Sequence, residues 1–231
     1  MSKQIRVGID VGGTNTKAVA IDNQTYDIVG VGIIPTTHDH ELGVSAGVIE
    51  SFKKCLTENN ISSDEVVFIA HSTTQATNAL VEGDVAKVGV IGISDGGLVG
   101  FLSKIQGKIK DIELDESGKR KITTSYRFIN RKDFSKDLVA KIIDELIAEG
   151  CGVIAASKTF GVDGMDEELL IKEVGKDKGI EVCAASEISK LYGLTRRTRT
   201  SVINGSILPR MISTADSTED AVKKAGIEAP L

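Results

Sequence analysis

Asp10-Val11-Gly12-Gly13-Thr14-Asn15-Thr16-Lys17 interrupts a β-branched apolar run, Ile5 to Ile9, and is followed by a second, Ala18 to Ile21. Two strands joined by a glycine turn are the simplest reading. Glycine pairs let backbone fold tightly and bring bare N–H groups against an anion, and hydroxyls at Thr14 and Thr16 are placed to add side-chain hydrogen bonds. Asp10, at the end of the first strand, is a candidate metal ligand and catalytic carboxylate. The expected ion is Mg2+, which keeps most of its waters and takes one or two carboxylates with phosphate oxygens. An ordinary hairpin without a ligand is the competing reading.

The stretch is neither a G-x-x-x-x-G-K-[ST] loop nor a dinucleotide fingerprint, because the segment after Thr16 reads as a strand and not a helix. A strand, a D-x-G-[GS]-T turn and a second strand resemble the first phosphate loop of the actin, sugar kinase and Hsp70 superfamily. Gly12, Gly13, Thr14, Asn15, Thr16 and Lys17 are then the expected cofactor-binding residues. Lys17 adds either a point charge at the phosphates or an outward-facing strand residue.

Outward from the turn, apolar runs alternate with helical periods in the order of an α/β protein. Ile5–Asp10, Lys17–Asp22 and Ile28–Ile34 form a meander, and Leu42, Ala46, Ile49, Phe52 and Leu56 recur at helical spacing up to Asn59-Asn60. Val66–Ala70 is a short strand, Gln75–Glu82 a helix, and Val85–Ile93 a buried strand ended by Asp95-Gly96-Gly97. Residues 107–127 are charged and without period, and read as an excursion from the core. A helix around Leu138–Ile147, ended by Gly150, precedes a strand at Val153–Ser157, a helix at Glu167–Lys178 and a strand at Glu181–Ala185. Helical residues dominate from Ser201 to Gly226, with Pro209 expected to kink them. The divisions expected are residues 1–94 as a first ATPase subdomain, 95–200 as a continuing α/β region, and 201–231 as a helical segment leading toward a second lobe.

Composition narrows the function. The chain has 231 residues, 41% of them hydrophobic, a net charge of -5 and 4% aromatics, which is globular and ill-suited to nucleic acid or an anionic membrane. No apolar stretch reaches the roughly 20 residues of a bilayer span, and no signal-peptide core follows Met1, so a cytoplasmic protein is expected. Cys55, Cys151 and Cys183 are odd in number and far apart, and imply no disulfide framework.

A second constellation, His71-Ser72-Thr73-Thr74 with Thr77-Asn78-Ala79-Leu80, follows a strand directly. The crevice beyond strand carboxyl ends is the usual ligand site of open α/β sheets, and three hydroxyls exceed what one helix cap requires. His71, Thr73, Thr74 and Asn78 are the candidate substrate-binding residues. His38-Asp39-His40-Glu41 offers four potential ligands in a row, but neighbouring residues point different ways and no partner pair exists, so a solvated loop is the better reading. Arg196, Arg197 and Arg199 fit either an anion or a solvent-facing helix start.

Taken together, these two motifs, Ser186-Glu187-Ile188-Ser189, and the run from Arg197 to Asn204 resemble the amino-terminal region of the hydantoinase/oxoprolinase family. That family includes ATP-dependent N-methylhydantoinase and 5-oxoprolinase subunits and relatives in acetone and acetophenone carboxylases. The resemblance implies an α/β, actin-like (ribonuclease H-like) ATPase lobe whose mixed sheet is flanked by helices. It also implies ATP with Mg2+ as cofactors and ATP-driven activation of a cyclic amide or ketone carbonyl by phosphoryl transfer. Glu187 is placed to orient water or metal, or is simply a helix-start acid. Ser72 stands where many members have glycine, and Gly83 where many have arginine, so the substrate is left open. No second phosphate loop or adenosine motif follows Asn204, which implies a fragment or separately encoded lobe, weak ATP binding in isolation, and a partner lobe or hydrolase subunit. Self-association is a further expectation. The alternatives are another kinase or ATPase of the actin-like superfamily, or a non-catalytic binding or assembly domain of the same fold.

Overall fold

The computed structural model describes residues 4–37, 40 and 43–224. The chain divides into two compact units, Met1–Asn78 with Met211–Leu231, and Ala79–Arg210.

The first unit is built on the opening meander. β1 (Ile5–Val11), β2 (Asn15–Asp22) and β3 (Ile28–Pro35) run antiparallel. Helix α1 (Val44–Glu58) then carries the chain to β4 (Val66–Thr73), which lies parallel to β1 and gives the order β3-β2-β1-β4. A mixed sheet of this order is the ribonuclease H-like arrangement expected from the turn motif. Period-two alternation decides which face is covered: Ile5, Val7, Ile9 and Val11 are buried, while Arg6 and Asp10 are exposed. The covered face packs on Val48, Phe52, Cys55 and Leu56 of α1. The approach is close enough to require glycine, since a Cβ on Gly32 would sit 2.5 Å from the Ser51 carbonyl oxygen and 2.6 Å from the Cys55 nitrogen.

Helix α2 (Gln75–Glu82) leads into the second unit, where every strand of the main sheet is parallel. β5 (Val88–Ser94) is followed by α3 (Gly97–Gly107), a small hairpin of β6 (Ile112–Glu113) and β7 (Lys121–Ile122), and β8 (Thr124–Asn130). α4 (Lys136–Ala148), β9 (Val153–Lys158), α5 (Asp166–Asp177) and β10 (Glu181–Ala184) complete the order β10-β9-β5-β8. β5 is buried along its whole length, as expected for a central parallel strand covered on both faces. The short α6 (Ala185–Ile188) and the long α7 (Leu194–Lys224) follow. The charged excursion is shorter than residues 107–127: its end is the edge strand β8, whose polar, half-exposed residues hide the apolar signal of a strand. Helix α7 continues through Pro209 and begins earlier than Ser201. Val222, near its end, joins the core of the first unit.

Candidate functional site

β1 and β4 are parallel, so their carboxyl ends meet at one edge, where the glycine turn leaves β1 and α2 begins. Register places Asp10 opposite Lys17 on one side and Ser72 on the other. Lys17, Asp10 and Ser72 therefore form one row on the face away from α1, all exposed. The Ser72 hydroxyl donates to Asp10 Oδ1 at 3.0 Å, which fixes the carboxylate through one of its two oxygens. Lys17 thus stands on the same face as Asp10, exposed beside it.

The turn is held from within. Gly12 N–H donates to the Asn15 carbonyl at 3.1 Å, and a Cβ on Gly12 would lie 3.0 Å from that oxygen. Neither Gly12 nor Gly13 has a positive φ, so Gly12 is needed for close approach and not for a left-handed turn. Thr36 clasps the outside: its N–H donates to the Thr14 carbonyl at 2.9 Å and its hydroxyl to the Gly12 carbonyl at 2.8 Å. Gly13, Thr14 and Asn15 are exposed.

Thr16 departs from the sequence reading. It is fully buried on the α1 side of the sheet, with its hydroxyl 3.3 Å from that of Thr36. Period two puts it on the opposite face from Lys17, so it braces the turn from behind.

At the α2 end, Thr74 N–H donates to the Val11 carbonyl at 3.3 Å, and Asn78 N–H to the Thr74 carbonyl at 3.0 Å. Thr74 thus starts the helix, exposed beside the turn, with Asn78 half-buried one turn on. Thr73 ends β4 opposite Val11, and its side chain lies outside the described residues. His71 pairs with Ile9 and faces the covered side, away from Ser72. Its Nε2 is buried without a partner, and burial pushes the imidazole pKa down, opposed by the Asp10 charge. A neutral core histidine is what this environment holds at neutral pH.

Glu187 belongs to the second unit and lies on α6, where it pairs with Lys172 at 2.7 Å on the surface. The group beside it is more deeply built. Glu168, fully buried in α5, accepts the Lys158 N–H at 2.7 Å, the Ser186 N–H at 2.8 Å and the Ser186 hydroxyl at 3.0 Å. Burial raises its pKa despite these bonds. Arg197 is 2% exposed and donates to the Lys158 and Leu191 carbonyls, so the arginine trio splits into one buried strut and two exposed side chains. Glu168 and Thr36 were missed by sequence reading, and Ser72 was counted among the hydroxyls after the strand without being linked to Asp10. Of the two missed residues only Glu168 carried a signal, sharing a helical face with Ile171 and Gly175.

Among the described residues no group of three or more His, Cys, Asp or Glu is placed to hold a metal by itself. Asp10 with a phosphate-borne, hydrated cation needs no such group. His38, Asp39 and Glu41 lie outside the described residues.

Residues 6–179 match the Hydantoinase/oxoprolinase N-terminal region. The chain belongs to the hydantoinase/oxoprolinase family. Two solved structures share its fold: an acetone carboxylase described in a study of ATP-dependent acetone carboxylation, in its nucleotide-free state, and the ATP-dependent caprolactamase from Pseudomonas jessenii. The acetone carboxylase is 19% identical with a TM-score of 0.65, covering 98% of this chain and 35% of its own. The caprolactamase is 21% identical with a TM-score of 0.61, covering 97% and 34%. This family member thus spans about a third of the length of either enzyme. Its fold is the actin-like α/β lobe expected from the sequence. No curated protein sequence matches it.

Proposed function

We propose that this chain is the amino-terminal part of an ATP-dependent enzyme that activates a cyclic amide or ketone carbonyl by phosphoryl transfer, for hydrolysis in the amide case. The observation that carries the reading is the row Lys17, Asp10, Ser72 beside a clasped glycine turn at the carboxyl ends of two parallel strands. ATP with Mg2+, when bound, supplies a phosphoryl group that converts the carbonyl oxygen from a poor into a good leaving group.

The chain's own residues act by position and charge. Asp10 holds the hydrated cation through the oxygen that Ser72 does not engage, and Ser72 keeps the carboxylate from rotating away. Lys17 adds a positive charge one strand across. Gly13, Thr14 and Asn15 present the turn to the phosphate oxygens, and Gly12, Thr16 and Thr36 keep it rigid, so little reorganisation accompanies charge development. Thr74 and Asn78, at the start of α2, are the groups offered to a carbonyl or amide. Glu187, engaged with Lys172, has no assigned step. The completing lobe is a domain corresponding to the other two thirds of the longer enzymes.

ATP hydrolysis by the completed enzyme, with and without lactams, hydantoins, 5-oxoproline and simple ketones, tests the proposal. Stimulation by one class is the expected result. Turnover indifferent to every carbonyl compound would refute it.

A further inference from the structure

Helix α3 of the second unit is built inside out. Its buried residues are Gly100, Ser103 and Gly107, whereas Leu98, Phe101, Leu102 and Ile105 are 74%, 62%, 47% and 59% exposed. At about 3.6 residues per turn the two sets lie on opposite faces, the small residues against the protein and the large apolar ones, at i, i+3, i+4 and i+7, outward. A surface helix ordinarily shows the reverse.

The helix cannot roll over to hide that stripe. A Cβ on Gly100 would lie 2.2 Å from the Asp95 carbonyl oxygen, and one on Gly107 3.2 Å from the Tyr126 hydroxyl, so the first place admits no side chain and the second little. Between them the buried Ser103 hydroxyl accepts from the Ser94 hydroxyl, at the end of β5, at 3.1 Å. At the far end the Thr195 hydroxyl donates to the Gln106 carbonyl at 2.9 Å. Contacts within the second unit therefore fix the rotation of α3. Four large apolar side chains in one exposed stripe mark an interaction surface and not a solvent face.

We propose that this stripe pairs α3 with α3 of a second copy of the chain, antiparallel about a two-fold axis. The occupant is argued from self-complementarity, which an isologous interface demands. The stripe is symmetric about the point between Phe101 and Leu102, so antiparallel pairing sets Leu98 level with the partner's Ile105 and gathers Phe101 and Leu102 of both copies at the axis. The charges at its ends obey the same symmetry. Asp95 stands three residues before Leu98 and Lys108 three residues after Ile105, both exposed, so each end brings a carboxylate level with the partner's ammonium group. Parallel pairing would instead set Asp95 against Asp95 and Lys108 against Lys108. Arg131 lies 3.7 Å from Asp95, but both side chains are more than half exposed and such a pair competes weakly. Two helix turns make a small interface, so a dissociation constant in the micromolar range is expected. The pairing draws only on residues of the second unit and is independent of the reading under Proposed function.

Sedimentation equilibrium of the full chain, from micromolar to millimolar concentration, is the first test, and a reversible shift from 24.5 kDa to twice that mass is expected. Phe101→Glu is expected to weaken the pairing at least tenfold with circular dichroism and thermal midpoint unchanged, because the side chain it replaces lies outside the core. Lys108→Glu and Asp95→Lys are each expected to weaken it several-fold, and the two together in one chain to restore it, a rescue that damage to the fold cannot produce. Leu102→Cys, beside the axis, is expected to form an interchain disulfide when oxidised with copper phenanthroline, the three native cysteines being buried. Leu98→Cys is not, because antiparallel pairing holds the two copies of that position about 10 Å apart along the helices. A chain that stays at 24.5 kDa, a dimer that Phe101→Glu leaves intact, charge changes that do not rescue one another, or a disulfide through Leu98→Cys and not Leu102→Cys overturns the proposal.

Discussion

Replacing Glu168 by leucine should destabilise the second unit far more than any surface change. The carboxylate is fully buried and accepts two backbone N–H groups, from Lys158 and Ser186, and the Ser186 hydroxyl. Leucine leaves both N–H donors unsatisfied, at about 1–3 kcal/mol each. Part of that is offset, because an ionised carboxylate no longer has to be buried, so about 3 kcal/mol is the expected net loss. At about 2–4 °C per kcal/mol for a chain of this size, the midpoint falls by roughly 6–12 °C. The chain has no tryptophan, so far-UV circular dichroism is the signal, with hydrogen exchange assigning the loss to Ala79–Arg210. Glu168→Gln keeps one acceptor and should lose about half as much. The pH dependence has a definite sign. Burial raises the folded pKa above that of the unfolded chain, so the advantage of Glu168 is full below the usual carboxylate range and shrinks as pH rises through the raised value. A Glu168→Leu midpoint within about 2 °C of wild type, or an advantage that grows with pH, would refute the reasoning.

Three further outcomes concern the first unit. His71→Leu removes a buried imidazole nitrogen without a partner and should leave stability unchanged or raise it by about 1 kcal/mol in denaturant titration at pH 7. Because the folded imidazole pKa is lowered, the wild type alone should also lose stability as pH falls from about 6.5 toward that lower value, which a titration repeated at pH 5 checks. Thr36→Val removes the clasp on Gly12 and should cost about 1 kcal/mol and loosen the turn, seen as faster amide exchange at Gly13 and Thr14. Gly32→Ala forces a Cβ against the backbone of α1 and should cost about 1–3 kcal/mol, read by chemical denaturation.

The fold was legible wherever the chain repeats a simple period. The turn motif and the runs around it placed β1 to β3 and α1, because alternation and helical spacing are set by which face is buried. β8 was hidden, since an edge strand with Tyr126 and Arg127 half in water need not be apolar. At the site, the position of Asp10 at a strand end beside a turn could be read from residue types, yet the faces taken by Thr16 and Lys17 depended on strand register, which a linear sequence does not display until the pairing is known. The same holds for Ser72, whose partner lies 62 positions away. The motif around Ser186 and Arg197 was visible, but the buried carboxylate it surrounds lies in α5, outside the motif, while Glu187 beside it pairs with Lys172 on the surface.

The most direct measurement is Mg2+-dependent binding of ATP to the completed enzyme, compared between wild type and Asp10→Ala by titration calorimetry. One charge-assisted ligand is worth about 1.5–3 kcal/mol, so the variant should bind Mg-ATP about 10- to 100-fold more weakly while its affinity for ATP in chelator changes little. Equal Mg-ATP affinity in the two proteins would contradict the assignment of Asp10, and with it the role of the glycine turn.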